Sequence, residues 1–335
     1  MRDRCLALLI VLAVSVPAAA QAPPAAAKSP TSAKSTASAK WVVPRTPDGK
    51  PDLQGLWSYA TLTPLERPAE FAAKEFLSEQ EAAAYEQRRL REDNRDRRDG
   101  SAEADVTRAY NDFWWDRGTK VVVTRRTSLV VDPPDGKIPP LTPDAQKRAA
   151  ARAEARRLHP ADGPEDRPLA ERCILFGNGG APMLPTAYNN NAQFFQTRDH
   201  VVIVNEMVHD VRIIPLDGRP PLNKNVRLWL GDSRGHWEGD TLVVETANFN
   251  DQANFRGSGE NLRLTERFTR VAQDTLLYEF TVDDPTSFTR PWKVELPLWK
   301  NPELMYEYAC HEGNSGMAGV LAGFRKEEAD AGARK

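Results

Sequence analysis

Glu206, His209, Asp210 and Arg212 fall in one short stretch, Glu206-Met-Val-His-Asp-Val-Arg212, between the apolar runs 201–204 and 211–216. A carboxylate withdrawn from water holds its proton more tightly, and an imidazole paired with one can exchange a proton near neutrality; both are ingredients of general acid–base catalysis. His209 is therefore the candidate proton-transfer residue, with Glu206 or Asp210 as its orienting or basic partner and Arg212 holding a substrate oxygen. The same residue types also form plain structural ion pairs and satisfied histidines. Two layouts are open. A hairpin turning at Met207-Val208 sets Glu206 and His209 on either side of the turn. One bent strand instead puts Glu206, Asp210 and Arg212 on one face and His209 on the other.

Two further groups carry polar chemistry. Tyr188-Asn-Asn-Asn191 is amide-rich, and carboxamides can hold a carbonyl or a hydroxyl or stabilise an oxyanion, although Asn also suits turns. Tyr188 and Asn190 are candidate substrate-binding residues on that basis. Asp232, His236, His311 and Glu312 could join His209 around Zn²⁺ or Cu²⁺. No two histidines fall at a close ligand spacing, so no metal site is assigned and His236 is kept as a substrate-binding candidate. The chain has no Gly-x-Ser-x-Gly elbow, Walker loop or dinucleotide fingerprint, which disfavours hydrolase-fold, NTPase and Rossmann chemistry. No organic cofactor is expected.

The elements that must position these residues are strands. From Tyr188 apolar and polar residues alternate, and no helical period persists until about Met317. Strands are expected at 193–197, 200–206, 209–216, 226–230, 236–237, 241–249, 262–271, 276–283, 292–298 and 305–310, with more near Trp57 and at 120–126 and 128–132. Asp240-Thr-Leu-Val-Val-Glu-Thr246 and Asp274-Thr-Leu-Leu-Tyr-Glu-Phe280 repeat one hairpin pattern, and Glu238-Gly239-Asp240 supplies the glycine that a tight turn demands. Strands without intervening helices exclude an α/β sheet. The expected fold is mainly β, an antiparallel meander closing into a lipocalin-like barrel with two or three peripheral helices. Closure would remove exposed strand edges. Ser78-Glu-Gln-Glu81 is a capping box and Thr142-Pro143 a second helix start, placing helical insertions at about 78–97 and 143–158.

Composition bounds the setting. A chain of 335 residues, 40% hydrophobic and 27% charged, reads as a globular protein, and its net charge of −2 gives no electrostatic case for nucleic acid. Met1-Arg-Asp-Arg4, the apolar run 5–16 and an Ala18-x-Ala20 site make residues 1–20 a cleaved signal peptide, too short for a stable membrane span. Residues 21–40, nearly all Ala, Pro, Ser, Thr and Lys, form a disordered linker. One barrel domain then covers 41–325, and 326–335 is a charged tail. Export to the periplasm or beyond favours a disulfide between Cys173 and Cys310, the alternative being two buried thiols.

Several phrases, among them Trp115-Asp-Arg-Gly118, Glu206-Met-Val-His-Asp210 and Gly235-His-Trp-Glu-Gly-Asp-Thr-Leu-Val-Val244, resemble those of a broad family of exported, mostly uncharacterised bacterial proteins. Gly55-Leu-Trp57 is similar to the start of the first strand in lipocalin-like barrels, where the Trp plugs the closed end. The resemblance covers nearly everything after Trp41 and implies export and a β-rich fold, but no activity and no site residues. The functional expectation rests on chemistry alone: a small, partly apolar organic molecule taken into the barrel and transformed by cofactor-free acid–base chemistry of the lyase, isomerase or hydrolase type. The alternative is a binding or carrier barrel without catalysis.

Overall fold

Alternation of side chains about the strand axis sets the architecture. In β9 (Thr275–Asp283), Leu276, Tyr278, Phe280 and Val282 are buried and the residues between them half-exposed, and β10 (Trp292–Lys300) buries Trp292, Val294, Leu296 and Leu298, with Pro297 the one intervening residue also buried. The computed structural model describes residues 41–108, 111–176, 180–253 and 255–332. The expected signal peptide and linker lie outside them. The other strands are β1 (Gly55–Ser58), β2 (Val130–Asp132), β3 (Asn191–Gln196), β4 (His200–Asn205), β5 (Val211–Pro215), β6 (Asp232–Glu238), β7 (Thr241–Ala247) and β8 (Arg263–Ala272). Nine of them run β5-β4-β3-β1-β10-β9-β8-β7-β6, each antiparallel to the next, with β2 added at the start of β10. The path curls until its edge strands meet, giving a nearly closed β-barrel.

The seam between β5 and β6 is closed by side chains. Arg212 of β5 donates to Ser233 Oγ of β6 at 3.2 Å. Gly235 of β6 lies so near β5 that a Cβ there would sit 2.7 Å from Leu216 and 2.9 Å from Ile214. Between β6 and β7 the turn is Gly239-Asp240, with Gly239 at φ 59°. That is the conformation a two-residue hairpin requires and the reason a glycine stands there.

The barrel interior is occupied by the chain's own side chains. Phe194, Phe268, Tyr278, Phe280 and Trp292 form a chain of ring contacts with centroids 4.8 to 6.1 Å apart. One end is sealed by Trp57, fully buried, whose Nε1 donates to the Leu53 carbonyl at 2.9 Å. Arg270 packs over that ring and donates to the Asp52 and Gln273 carbonyls. At the other end the β4–β5 connection meets the irregular segment 180–190.

Four α-helices lie outside the barrel among the described residues, one more than expected: α1 (Glu79–Glu92), α2 (Ala102–Thr107), α3 (Pro143–Leu158) and α4 (Ser315–Gly332). The Ser78/Glu81 capping box opens α1, and the Thr142 hydroxyl accepts the Ala145 N–H at the start of α3. Ala145 is the only buried residue of α3, so that helix rides on the surface. The charged segment after Phe324 continues α4 as far as Gly332. Cys173 and Cys310 are disulfide-bonded across a separation of 137 residues. No helix among the described residues is long and apolar enough to cross a membrane.

Three expected strands are irregular instead. At 120–126 the backbone finds side-chain partners: the Val121 N–H donates to Glu86 Oε1 and the Val122 N–H to Thr63 Oγ1, both at 3.0 Å. At 226–230 a single bridge joins Leu228 to Phe249. Segment 305–310 has no strand pairing, and its Tyr308 carbonyl faces His209. Apolar alternation alone does not make a strand where no partner edge is free.

Candidate functional site

The stretch 206–210 is a hairpin connection. Val204 pairs with Val211 and Ile203 with Arg212, and an irregular turn, Met207–His209, joins β4 to β5. Within it Val208 has φ 58° and His209 φ 46°. A β-branched residue in that region is strained by about 1–3 kcal/mol. Burial of Met207 and Val208 holds it there.

This turn fixes the polar side chains. His209 is exposed, and its Nδ1 lies 3.0 Å from the Tyr308 carbonyl. Because a carbonyl can only accept, Nδ1 carries the proton, and Nε2 of the neutral ring is left as the acceptor. Glu206 is buried and accepts from Asn191 Nδ2 at 2.8 Å; Asn191 Oδ1 in turn accepts from Asn301 Nδ2 at 3.0 Å. Asp210 turns the other way. Asn205 donates its backbone N–H to the Asp210 carbonyl at 2.9 Å, so the two residues oppose each other on the face that carries Ile203 and Arg212 into the barrel. Burial pushes the Asp210 carboxyl up to about 6, with the neighbouring His209 pulling the other way.

The barrel end is unusual in its unmatched groups. Asp210 Oδ2, both amide atoms of Asn205 and the Tyr59 hydroxyl are buried and have no hydrogen-bond partner among the described residues. Tyr59 and Asn205 are both wholly inaccessible. Burial, then the Glu206 and Asp116 carboxylates, raise the Tyr59 hydroxyl far above its usual range, so it stays a donor. Buried polar atoms ordinarily find partners, and a cluster that does not is suited to a small polar guest. Its donors and acceptors could hold a carbonyl or hydroxyl oxygen beside a carboxyl that titrates near neutrality.

The remaining candidates separate. Tyr188 stays close: its ring stacks on Tyr308 with centroids 6.4 Å apart and is contacted by Trp115 and Phe176, an aromatic rim beside His209. Asn190 is buried in the same end, but its amide is fully used, donating to the Asp116 and Thr186 carbonyls and accepting the Thr186 N–H. Arg212 points into the barrel interior. It forms a fork on Glu266, with Nη1 3.0 Å from Oε1, and adds bonds to Ser233 and Thr246. Tyr278 completes that network by donating to Glu266 at 2.7 Å, and its oxygen accepts the Met183 N–H. Burial opposes the Arg212 charge, yet Glu266 keeps its pKa raised. His236 lies on the outer barrel face, paired with Glu238 at 3.2 Å and away from the turn.

No protein-family model matches the chain, and no curated protein matches it. No group of three or more His, Cys, Asp or Glu side chains among the described residues could hold a metal ion.

Tyr59 and Asn205 escape the motif search, though the sequence holds a signal for each. Tyr59 follows Trp57 by two positions, and Asn205 follows Ile203 by two, so both inherit an inward face from an apolar neighbour. A polar residue in phase with a buried apolar series is the mark to look for, and Glu266 between Leu264 and Phe268 carries the same mark.

Proposed function

We propose that the protein binds a small, partly apolar organic molecule at the barrel end formed by the 206–210 turn and transforms it by cofactor-free proton transfer. The observation that carries this is the Asp210 carboxyl, raised to about 6 with Oδ2 unpartnered, beside Asn205 and Tyr59, which also lack partners. Perturbed carboxyls next to unmatched donors concentrate at functional sites. Asp210 serves as the half-buried acid or base, His209 Nε2 as the solvent-side proton acceptor, and Tyr59 and Asn205 hold the substrate oxygen. Glu206 positions the turn through Asn191, and Tyr188 with Tyr308 supplies an apolar rim. Arg212 and Asn190 shape the site from within. The reaction class on this reading is lyase, isomerase or hydrolase.

Ligand binding without turnover is the second possibility, favoured by the filled interior, which leaves the guest at the barrel end rather than within it. The test is mass spectrometry of small molecules released from the purified protein, followed by incubation of those molecules with the wild-type chain and with His209→Gln and Asp210→Asn. Turnover that disappears in both variants while binding persists supports the enzyme. Binding with no turnover in any form supports the carrier, and binding unaffected by Tyr59→Phe combined with Asn205→Ala removes the site. Export is part of the proposal, supported by the disulfide and by the signal-like residues 1–20. Sequencing the mature N-terminus checks it, with a start at Gln21 expected.

A further inference from the structure

A second cavity is lined by none of the barrel-end residues Tyr59, Asn205, Glu206, His209 and Asp210. Between α3 and the segment 165–175, with Gln252, Ala253, Phe255 and Arg256 as its floor, there is a cavity of about 650 Å³, in the range of small-molecule sites. Arginines dominate its charge: Arg152, Arg156, Arg167, Arg172 and Arg256 line it against the carboxylates of Glu165 and Asp166, in a chain whose overall charge is −2.

Their bonding divides them. Arg167 is occupied by Glu171 and the Pro160 carbonyl, and Arg152 donates to the Asp251 carbonyl at 3.2 Å. The Asp166 carboxylate accepts the Gly163 N–H. The guanidinium groups of Arg156, Arg172 and Arg256 have no hydrogen bond or ion pair among the described residues. Guanidinium groups around one cavity repel each other, and their planar donor forks match a carboxylate or phosphate. Arg256 is presented from a backbone at φ 53°, a conformation that costs a non-glycine residue free energy and therefore needs a compensating role.

The floor has the opposite character. Leu169, Leu175 and Phe255 line the cavity, and Leu175, Ala253 and Phe255 continue into a narrow recess with Trp229, Phe249 and Leu262. Charge at the rim and apolar surface beneath describe an amphipathic guest. The geometry points to a binding site for an organic anion, a carboxylate or phosphate head on an aromatic or aliphatic body, held by Arg156, Arg172 and Arg256 with its body against Leu175 and Phe255. The disulfide at Cys173 anchors one wall between Arg172 and Leu175.

Isothermal titration calorimetry on the full chain with naphthoate, naphthyl phosphate and neutral naphthalenemethanol tests the site, the first two separating a carboxylate from a phosphate preference. At least one anion should bind about tenfold or more tightly than the neutral analogue, because charge-assisted bonds are lost with the head group. The triple variant Arg156→Gln, Arg172→Gln, Arg256→Gln should weaken anion binding by about tenfold or more while leaving the neutral analogue unchanged. Arg156→Gln with Arg256→Gln, both at exposed positions, should give most of that loss with an unaltered melting temperature. Asp210→Asn should leave anion binding intact, which separates this site from the barrel end. Equal affinity for all three probes, no anion binding at millimolar concentration, or anion binding indifferent to the arginine variants overturns the inference.

Discussion

Two polar regions of the barrel stand a few residues apart and are built on opposite plans. In the interior, the Arg212 fork, the Glu266 carboxylate and the Tyr278 hydroxyl satisfy one another and reach Ser233, Thr246 and Met183; Arg212 Nε alone is left over. At the barrel end, Tyr59 and Asn205 are wholly inaccessible and Asp210 is half-buried with Oδ2 withdrawn from water, yet these polar atoms have no partner among the described residues. A paired network offsets its desolvation within the protein and fixes the closure of β5 on β6. Unpaired groups lower stability, and on the proposed function a bound guest supplies the missing partners. The contrast separates the two regions more sharply than residue type does, since a carboxyl group and a tyrosine occur in both.

Substitutions should therefore change stability with opposite sign in the two regions. The largest effect is expected from Glu266→Gln or Arg212→Met, each of which strands a buried partner and should lower unfolding free energy by about 3–5 kcal/mol in denaturant titration. A loss below about 1 kcal/mol would show that the network is not what closes the seam. At the barrel end the largest effect should be a gain. The folded chain holds the Asp210 proton to about pH 6, against an ordinary 3.8. The raised value means that the stability it contributes is fully present below about pH 4 and lost as pH rises through 6. Asp210→Asn should abolish that dependence and leave the protein about 1–2 kcal/mol more stable than wild type at pH 8, allowing for screening at a partly accessible group. Destabilisation at pH 8 would mean that the carboxylate has an unrecognised partner. Asn205→Leu should be smaller, between neutral and about 1 kcal/mol stabilising, because it removes desolvated groups that gain nothing in return. Tyr59→Phe should be smallest, within about 0.5 kcal/mol of wild type. Thermal melts of both resolve these outcomes.

Much of the barrel is legible in the sequence because its strands are half-buried and alternate. The hairpin at Gly239-Asp240, the burial of Trp57 and the starts of α1 at Ser78 and of α3 at Thr142 follow from local chemistry that tertiary context does not override. Segments 120–126, 226–230 and 305–310 mislead because their apolar residues pack in irregular layers. Whether a strand forms there depends on a free edge, and that is a property of the whole sheet. The site is legible as a neighbourhood and not as an arrangement. The 206–212 stretch draws attention by composition, but only the strained turn at Val208 and His209 decides that Asp210 faces inward while His209 faces solvent. Arg212 belongs to the interior network because Glu266 waits opposite it, 54 positions along the chain, where no local pattern reaches.

The most direct test is the titration of Asp210 itself, followed by carboxyl carbon NMR on aspartate-labelled protein, with Asp210→Asn identifying the signal. A midpoint near pH 6 that shifts when a co-purified ligand is added is the predicted result. A midpoint near 4, unmoved by any ligand, would contradict the assignment of the barrel end as the functional site.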